Sequence, residues 1–505
     1  MTPAPLRSFS RRVRGIAGGA RPTGVLDGID HFVVVMLENR SFDHMLGYLS
    51  LPVSEGGRGR ADIDGVQLDR RAVVDGEEYS PRPLGRTALT KAEDPAHDGW
   101  AVDQQIAGGA EGYVRNYART HPNAADKGVV LAYHDGEQLP VYDFLAEHFC
   151  VCDRWFCSVA GATWPNRLYA LTGGSDGERE NAMPPLYSRR SFVRFLEERG
   201  ITWRWYAHDP ATLRLVDDRY RLGPDDGFAP FERPSILEPR TFFRDVASGQ
   251  LPSLAWIDPN FVDLGGTAGA SDDHPPADIL AGQELVLKVY TALAGSELWE
   301  RTLLLVTYDE HGGFYDHVEP GPAEDDHPGC RRYGPRVPAL IASPKVAPGS
   351  VCHETLDHTS IIRTVLRLFC PREADALARD MGARVAAAQD LSVALEEGER
   401  PPVAVPDRVR ERIVAWRAEG LRRALENPLA ANAANETIDV VGALGRVLHT
   451  LRRVAGPPLW RLLGRRRLVG FRTPTTPVRA QTELTQEIFA ASRALRGKGL
   501  PPGRV

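Results

Sequence analysis

Residues 307–317, reading TYDEHGGFYDH, crowd Asp309, Glu310, two histidines and two glycines directly behind the apolar run RTLLLV. Charge at such a point is costly unless something positive sits among it, and a metal ion is the leading candidate. A second apolar run, HFVVVML at 31–37, is followed at once by Glu38 and Asn39. Glu38, Asn39, Asp309 and Glu310 together offer oxygen donors that suit a hard divalent cation such as Ca²⁺, Mg²⁺ or Mn²⁺. Capping a helix or turning a loop is the alternative use of the same residues. Gly312 and Gly313 allow a tight turn behind the acidic pair.

The stretch ATWPNRLYALTGG, 162–174, supplies a hydroxyl. Thr163 stands where an N-cap belongs, Pro165 falls in the first turn, and Gly173 suits the helix end. Free backbone amides and the positive end of the helix dipole welcome a phosphate at such a spot, although an ordinary capping threonine looks the same. His97 in DPAHDGW, His274 in SDDHPPAD and His358 in LDHTS fall in polar loops or at helix starts, and His311 and His317 flank the glycines. Around one sheet edge they can act as general acids and contact phosphate oxygens; singly, each is as readily exposed or structurally bonded.

The elements that must position these groups are legible as an alternation. Strands are predicted at 31–37, 201–207, 253–258, 302–308 and 337–343, and helices at 278–293 and from Asp357, a plausible N-cap. Strands alternating with helices predict an α/β fold with a mainly parallel central sheet flanked by helices. Such sheets carry their sites at the carboxyl ends of the strands, where Glu38–Asn39 and Asp309–Glu310 meet. Residues 51–125 and 208–250 read as long surface insertions over that edge. The division expected is an N-terminal tail (1–30), a catalytic domain (31–375) and a helical, basic C-terminal extension (376–505).

The composition of the 505 residues is globular, and the net charge of −6 is unevenly spread. Residues 401–505 hold 19 Arg and Lys against 8 Asp and Glu, which leaves the rest of the chain strongly acidic. Residues 441–480 contain nine arginines and no acidic residue, interleaved with apolar positions. That pattern suits either peripheral contact with an anionic membrane or a helix packed on the acidic domain; nucleic acid is not expected. Six cysteines in a chain this long read as buried free thiols. The paired arginines near the start lack an apolar stretch behind them, and no run is long enough to span a membrane, so a cytoplasmic or peripheral-membrane location is expected.

ENRSFDH, LAEHFCVCDRWFCSVAGATWPNRLY, the HPP of SDDHPPAD, TYDEHGGFYDHV, YGPRVPALIASP and DHTS resemble, in that order, motifs of the bacterial and plant phosphoesterase family. That family includes non-specific phospholipase C and a bacterial acid phosphatase, within the alkaline phosphatase superfamily. The resemblance covers about residues 30–370. It implies an alkaline-phosphatase-like fold, one divalent metal held by Glu38, Asn39, Asp309 and Glu310, and Thr163 as nucleophile. It also implies that His97 and His274 contact the phosphoryl oxygens or the leaving group. Asp273, His311 and His358 lie in matching motifs, and Arg167 balances charge or braces a carboxylate.

The implied activity is metal-dependent phosphoester hydrolysis, foremost phospholipase C cleavage of phospholipids through a phosphothreonine. An acid-phosphatase-type phosphomonoesterase and a non-catalytic protein keeping the metal cage are the alternatives. Longer bacterial phospholipases C carry an export signal and β-rich C-terminal repeats, neither of which is visible here, which argues against a secreted role.

Overall fold

A computed structural model describes residues 24–182, 185–209, 211–221, 226–232, 240–261 and 269–426. Runs of Val and Leu without polar interruption have no face to show water and need a layer on each side. The central sheet provides this with eight strands: β1 (His31–Leu37), β2 (Cys150–Cys152), β3 (Trp203–Ala207), β4 (Phe228–Pro230), β5 (Leu254–Ile257), β6 (Thr302–Tyr308), β7 (Ala339–Ala342) and β8 (Val351–Cys352). Their order is β8-β2-β7-β6-β1-β5-β3-β4. All neighbours are parallel except β7, which runs antiparallel to β6 and β2. Every residue of β6 is buried, as is all of β1 beyond His31. Each such Val or Leu contributes about 1.5–3 kcal/mol.

The longer helices are α1 (Gly99–Ala107), α2 (Gly109–Thr120), α3 (Pro140–His148), α4 (Thr163–Thr172), α5 (Ile279–Ala294), α6 (Thr359–Phe369) and α7 (Asp407–Glu426). α3, α5 and α7 pack together, and α4 packs with α6. The predicted start of α5 is set by Asp278, whose carboxylate accepts from Leu280 N–H at 3.0 Å. At α6 His358 takes the N-cap position, while Asp357 Oδ1 accepts from Thr359 N–H at 3.1 Å.

Residues 51–125 are more than a surface insertion. They carry α1, α2 and a hairpin of Ala72–Val74 with Glu77–Tyr79, and Val114 and Tyr117 bury themselves with Phe314 of the GGFY segment. Val409 and Ile413 of α7 join the same core as the sheet, and Arg384 donates to Ser158 O and Cys330 O. All six cysteines are free and buried. No described helix is long and apolar enough to cross a membrane. The basic segment 441–480 lies outside the described residues.

Candidate active site

β1 and β6 run in register, His31 opposite Thr302 through Leu37 opposite Tyr308, so Glu38–Asn39 and Asp309–Glu310 leave the sheet side by side. Backbone bonds fix the exit: Asp309 N–H donates to Leu37 O (3.1 Å), Arg40 N–H to Glu310 O (3.0 Å) and Glu38 N–H to Asp272 O (2.7 Å). Asn39 turns at φ +60°, a left-handed conformation asparagine tolerates. Gly312 and Gly313 are left-handed too, and a Cβ on them would lie 2.2 Å from Asn39 O and 2.7 Å from Ala96 O. Only glycine lets these loops close together.

α4 reaches the same edge. Ala162 rather than Thr163 occupies its N-cap, Thr163 is the first helical residue, and the first-turn amide of Trp164 donates to Asn181 Oδ1 (2.9 Å), so the capping role open to Thr163 is not the one it plays. One turn on, Arg167 Nε donates to Asp309 Oδ2 (2.9 Å) and Nη2 to Glu38 Oε1 (3.2 Å). Residues four apart share a helix face, so Thr163 and Arg167 lie on the same side of α4.

His97 Nδ1 donates to Pro95 O (2.9 Å), leaving Nε2 toward Asn39 Nδ2 (3.4 Å) and Glu310 Oε1 (3.9 Å). Burial opposes charge on this ring, but Glu310 and then Asp94 outweigh it and raise its pKa to about 8. The His274 ring lies 5.8 Å from that of His97, edge to face, with Nδ1 donating to Pro275 O (2.7 Å) and Nε2 3.8 Å from Asp94 Oδ2.

Three of the remaining candidates are braces behind this surface. His358 Nδ1 accepts from Trp155 Nε1–H (3.2 Å), so its proton is on Nε2 and is donated to Asp309 O (2.6 Å). Burial pushes its pKa down to about 4, which keeps the ring neutral. The Asp273 carbonyl takes two bonds from Arg40 (2.9 and 2.7 Å) and its carboxyl accepts from the Tyr308 hydroxyl. Burial raises that carboxyl to about 7. His311 Nε2 lies 2.9 Å from Gln105 Oε1, and Nδ1 lies 3.2 Å from Glu310 Oε2.

Asp272, passed over in the sequence beside Asp273, is buried and raised well above the usual carboxyl range by burial and by Glu38. Burial, together with Glu38 and Glu310, raises Asp309 in spite of Arg167; burial on Glu310 is outweighed by His97 and His311, and it is lowered. Arg167 thus grips Glu38 and Asp309 while Glu310 faces His97 and His311, and Asn39 Oδ1 and Glu310 Oε1 are buried without a hydrogen-bond partner. Excess buried carboxylate with two oxygens left unbonded fits a hard cation.

By proximity alone a different group stands out. Among the described residues Asp43, Asp316 and His317 bring three ligand atoms within 4.8 Å of one another, a group able to hold a metal ion, whereas Glu38, Asp309 and Glu310 do not gather so tightly. Arg336 already donates to Asp316 Oδ1 (2.8 Å) and Asp43 Oδ1 (3.1 Å).

The family model described as Phosphoesterase family matches residues 29–370. Non-specific phospholipase C6 of Arabidopsis thaliana is 33% identical over 372 residues, covering 67% of each chain. Phospholipase C B of Mycobacterium tuberculosis is 29% identical over 408 residues, 70% of this chain and 76% of that one. Among solved structures, a protein in the alkaline phosphatase superfamily from Vibrio parahaemolyticus aligns at 11% identity with a TM-score of 0.31, covering 59% of this chain and 83% of its own, a likeness too slight to argue from.

Proposed function

The chain belongs to the Phosphoesterase family, and from that premise we propose that it hydrolyses phosphoesters, in the manner of a phospholipase C, with Thr163 as nucleophile. The observation that carries the reading is the register of α4: its first residue, Thr163, sits one turn before the arginine that grips Glu38 and Asp309.

The Thr163 hydroxyl attacks phosphorus in line, the P–O bond to the leaving alcohol breaks, and that alcohol takes a proton from a histidine. Water then hydrolyses the phosphothreonine and restores Thr163. His97 and His274 are the candidate acids. The Nδ1–H of each is held by a carbonyl, which leaves Nε2 of His97 facing Asn39 and Glu310 and Nε2 of His274 facing Asp94. Glu38, Asn39, Asp309 and Glu310 would hold one divalent ion, Ca²⁺, Mg²⁺ or Mn²⁺, which when bound polarises a phosphoryl oxygen and lowers the pKa of a nearby hydroxyl. Arg167 keeps the two strand ends together and offsets part of their charge.

A phosphomonoesterase is the second reading, favoured by one detail. Arg167 Nη1 is buried without a partner, a donor suited to the extra charge of a monoester. Hydrolysis of p-nitrophenyl phosphorylcholine beside p-nitrophenyl phosphate separates the two. Thr163→Ala is expected to lose at least about 10³-fold in kcat on the preferred substrate with its melting temperature kept, and EDTA to abolish turnover until the metal is returned. An unaffected Thr163→Ala would overturn the nucleophile. The arginines of 441–480 extend the proposal to a membrane surface; deletion of 441–505 should weaken binding to anionic vesicles, more so at low salt.

A further inference from the structure

The loop that leads into α4 depends on a side chain from elsewhere to satisfy its backbone. Asn166 Nδ2 donates to Val159 O (3.2 Å), Gly161 O (3.0 Å) and Ala162 O (3.1 Å), so these three carbonyls are answered from within α4 itself. Ala160 O takes its bond from Arg179 Nε at 2.7 Å. The same guanidinium reaches α1, where Nη2 donates to Gly99 O (3.0 Å) and to Asp103 Oδ1 (2.6 Å). The main chain joins in: Arg179 O accepts from Ala162 N–H (3.0 Å), and Asn181 Oδ1 accepts from Trp164 N–H (2.9 Å). Two glycines admit the arginine, since a Cβ on Gly161 would lie 2.6 Å from Arg179 O and one on Gly99 2.8 Å from Arg179 Cβ. Apolar contact between loop and helix is slight, because the buried cluster that joins Ala160 to α1 has only Val102 and Ile106 as its other members.

We propose that Arg179 is a positioning residue: by bridging Ala160 O and Gly99 O, it fixes the loop that presents Thr163 against α1. Its ion pair with Asp103 is the lesser part, because that carboxylate is 57% exposed and such pairs contribute little. The bonds to the two carbonyls are charge-assisted and leave one rigid plane, so they set distance and direction together. A hydroxyl displaced by about 1 Å from its line of attack loses about 10²-fold in rate while the substrate's other contacts persist. The consequence for turnover rests on the phosphoesterase reading with Thr163 as nucleophile; the tie between loop and helix does not.

The test is hydrogen exchange of the full-length protein, read by mass spectrometry, beside kinetics on the preferred of the two p-nitrophenyl esters. Arg179→Met keeps the apolar stem and removes the fork. It is expected to speed exchange in peptides covering both 160–164 and 99–103 while β1 and β6 stay protected as in wild type. In the same variant kcat should fall about 10- to 100-fold with KM within about twofold. A side chain that served stability alone would speed exchange throughout and leave kcat of the folded fraction unchanged. Wild-type exchange in either segment overturns the proposal, as does a kcat within about twofold of wild type or a loss carried by KM instead. Asp103→Asn, which removes only the exposed ion pair, should keep kcat within about twofold, and a loss there as large as that of Arg179→Met overturns the carbonyl bridge as the cause. Should Arg179→Met fail to fold, Arg179→Lys, which keeps the charge without the fork, should loosen both segments by less. Wild-type exchange in either segment of that variant also overturns the proposal. Absence of turnover by the wild type on any phosphoester would sink the functional reading, and exchange alone would then decide whether Arg179 joins loop and helix.

Discussion

Residues 38–44 and 309–317 each contribute to two charge clusters, and the clusters end up in opposite states. The first joins Glu38, Asn39, Asp309 and Glu310 around Arg167; the second joins Asp43, Asp316 and His317 around Arg336. In the second, the bonds close on themselves. Arg336 Nη1 donates to the carbonyls of Asp64 and Asp153 (both 2.8 Å), and His317 reaches Asp43 Oδ2 (2.8 Å) and Asp64 Oδ1 (2.9 Å). In the first, Asn39 Oδ1, Glu310 Oε1, Arg167 Nη1 and His311 Nδ1 are buried and unbonded. Proximity of ligand atoms selects the second cluster, whereas hydrogen-bond accounting selects the first. A buried network that satisfies itself has little left to offer a ligand; one with orphaned oxygens does.

The largest effect that separates them should come from Arg336→Met. It strands two buried carboxylates, at a cost of about 3–5 kcal/mol in denaturant unfolding. A loss under about 1 kcal/mol would mean the second cluster is not the self-satisfied one.

Next in size is a pH effect on the same network. Burial opposes charge on His317, yet Asp43 and Asp316 raise its pKa to about 9. A folded pKa above the ordinary value of about 6.5 gives stability that is complete below about pH 6.5 and lost as pH rises through about 9, roughly 3 kcal/mol at most. Unfolding at pH 6 and at pH 10 should show that loss in wild type, and His317→Asn should flatten it.

Metal removal tests which cluster holds an ion. Wild type and Asp43→Asn should lose the same stability in EDTA, about 2.7 kcal/mol for an ion present at a hundred times its Kd. If Asp43→Asn alone erases the shift, the ion belongs to the second cluster. The smallest effect is on Asp309→Asn measured without metal. Relief of a carboxylate raised by burial and by Glu38 should leave stability unchanged or higher by about 1 kcal/mol, while turnover disappears.

How much of this could be read from the chain depended on length and on polarity. β1 and β6 are seven-residue apolar runs, and both were legible to the residue. β2, β4 and β8 have three, three and two residues, too short for any periodicity to show, and the reversal of β7 follows from tertiary pairing. Thr163 was legible as a helix start but misplaced by one position. That single step separates a hydroxyl spent on capping from one that is not. Gln105 and Asp272 left no signal, because a buried polar residue looks like a surface one until its partners, up to hundreds of positions away, are known. Arg336 is the same problem in reverse: the motif residues Asp43 and Asp316 are as acidic as Asp309, and nothing local says they are neutralised.

The central position of β1 has a consequence for how the protein is made. Its two neighbours in the sheet, β5 and β6, begin at Leu254 and Thr302, and Asn39 meets Asp309 across 270 positions of chain. At about 5–20 residues per second, the ribosome leaves the apolar strand 31–37 without its β6 partner for roughly 15–50 s. During that interval its backbone edges are open to wrong pairing, and the two halves of the candidate site have not met. Nascent chains should therefore draw on holdase chaperones early, and activity should appear only after β6 has emerged.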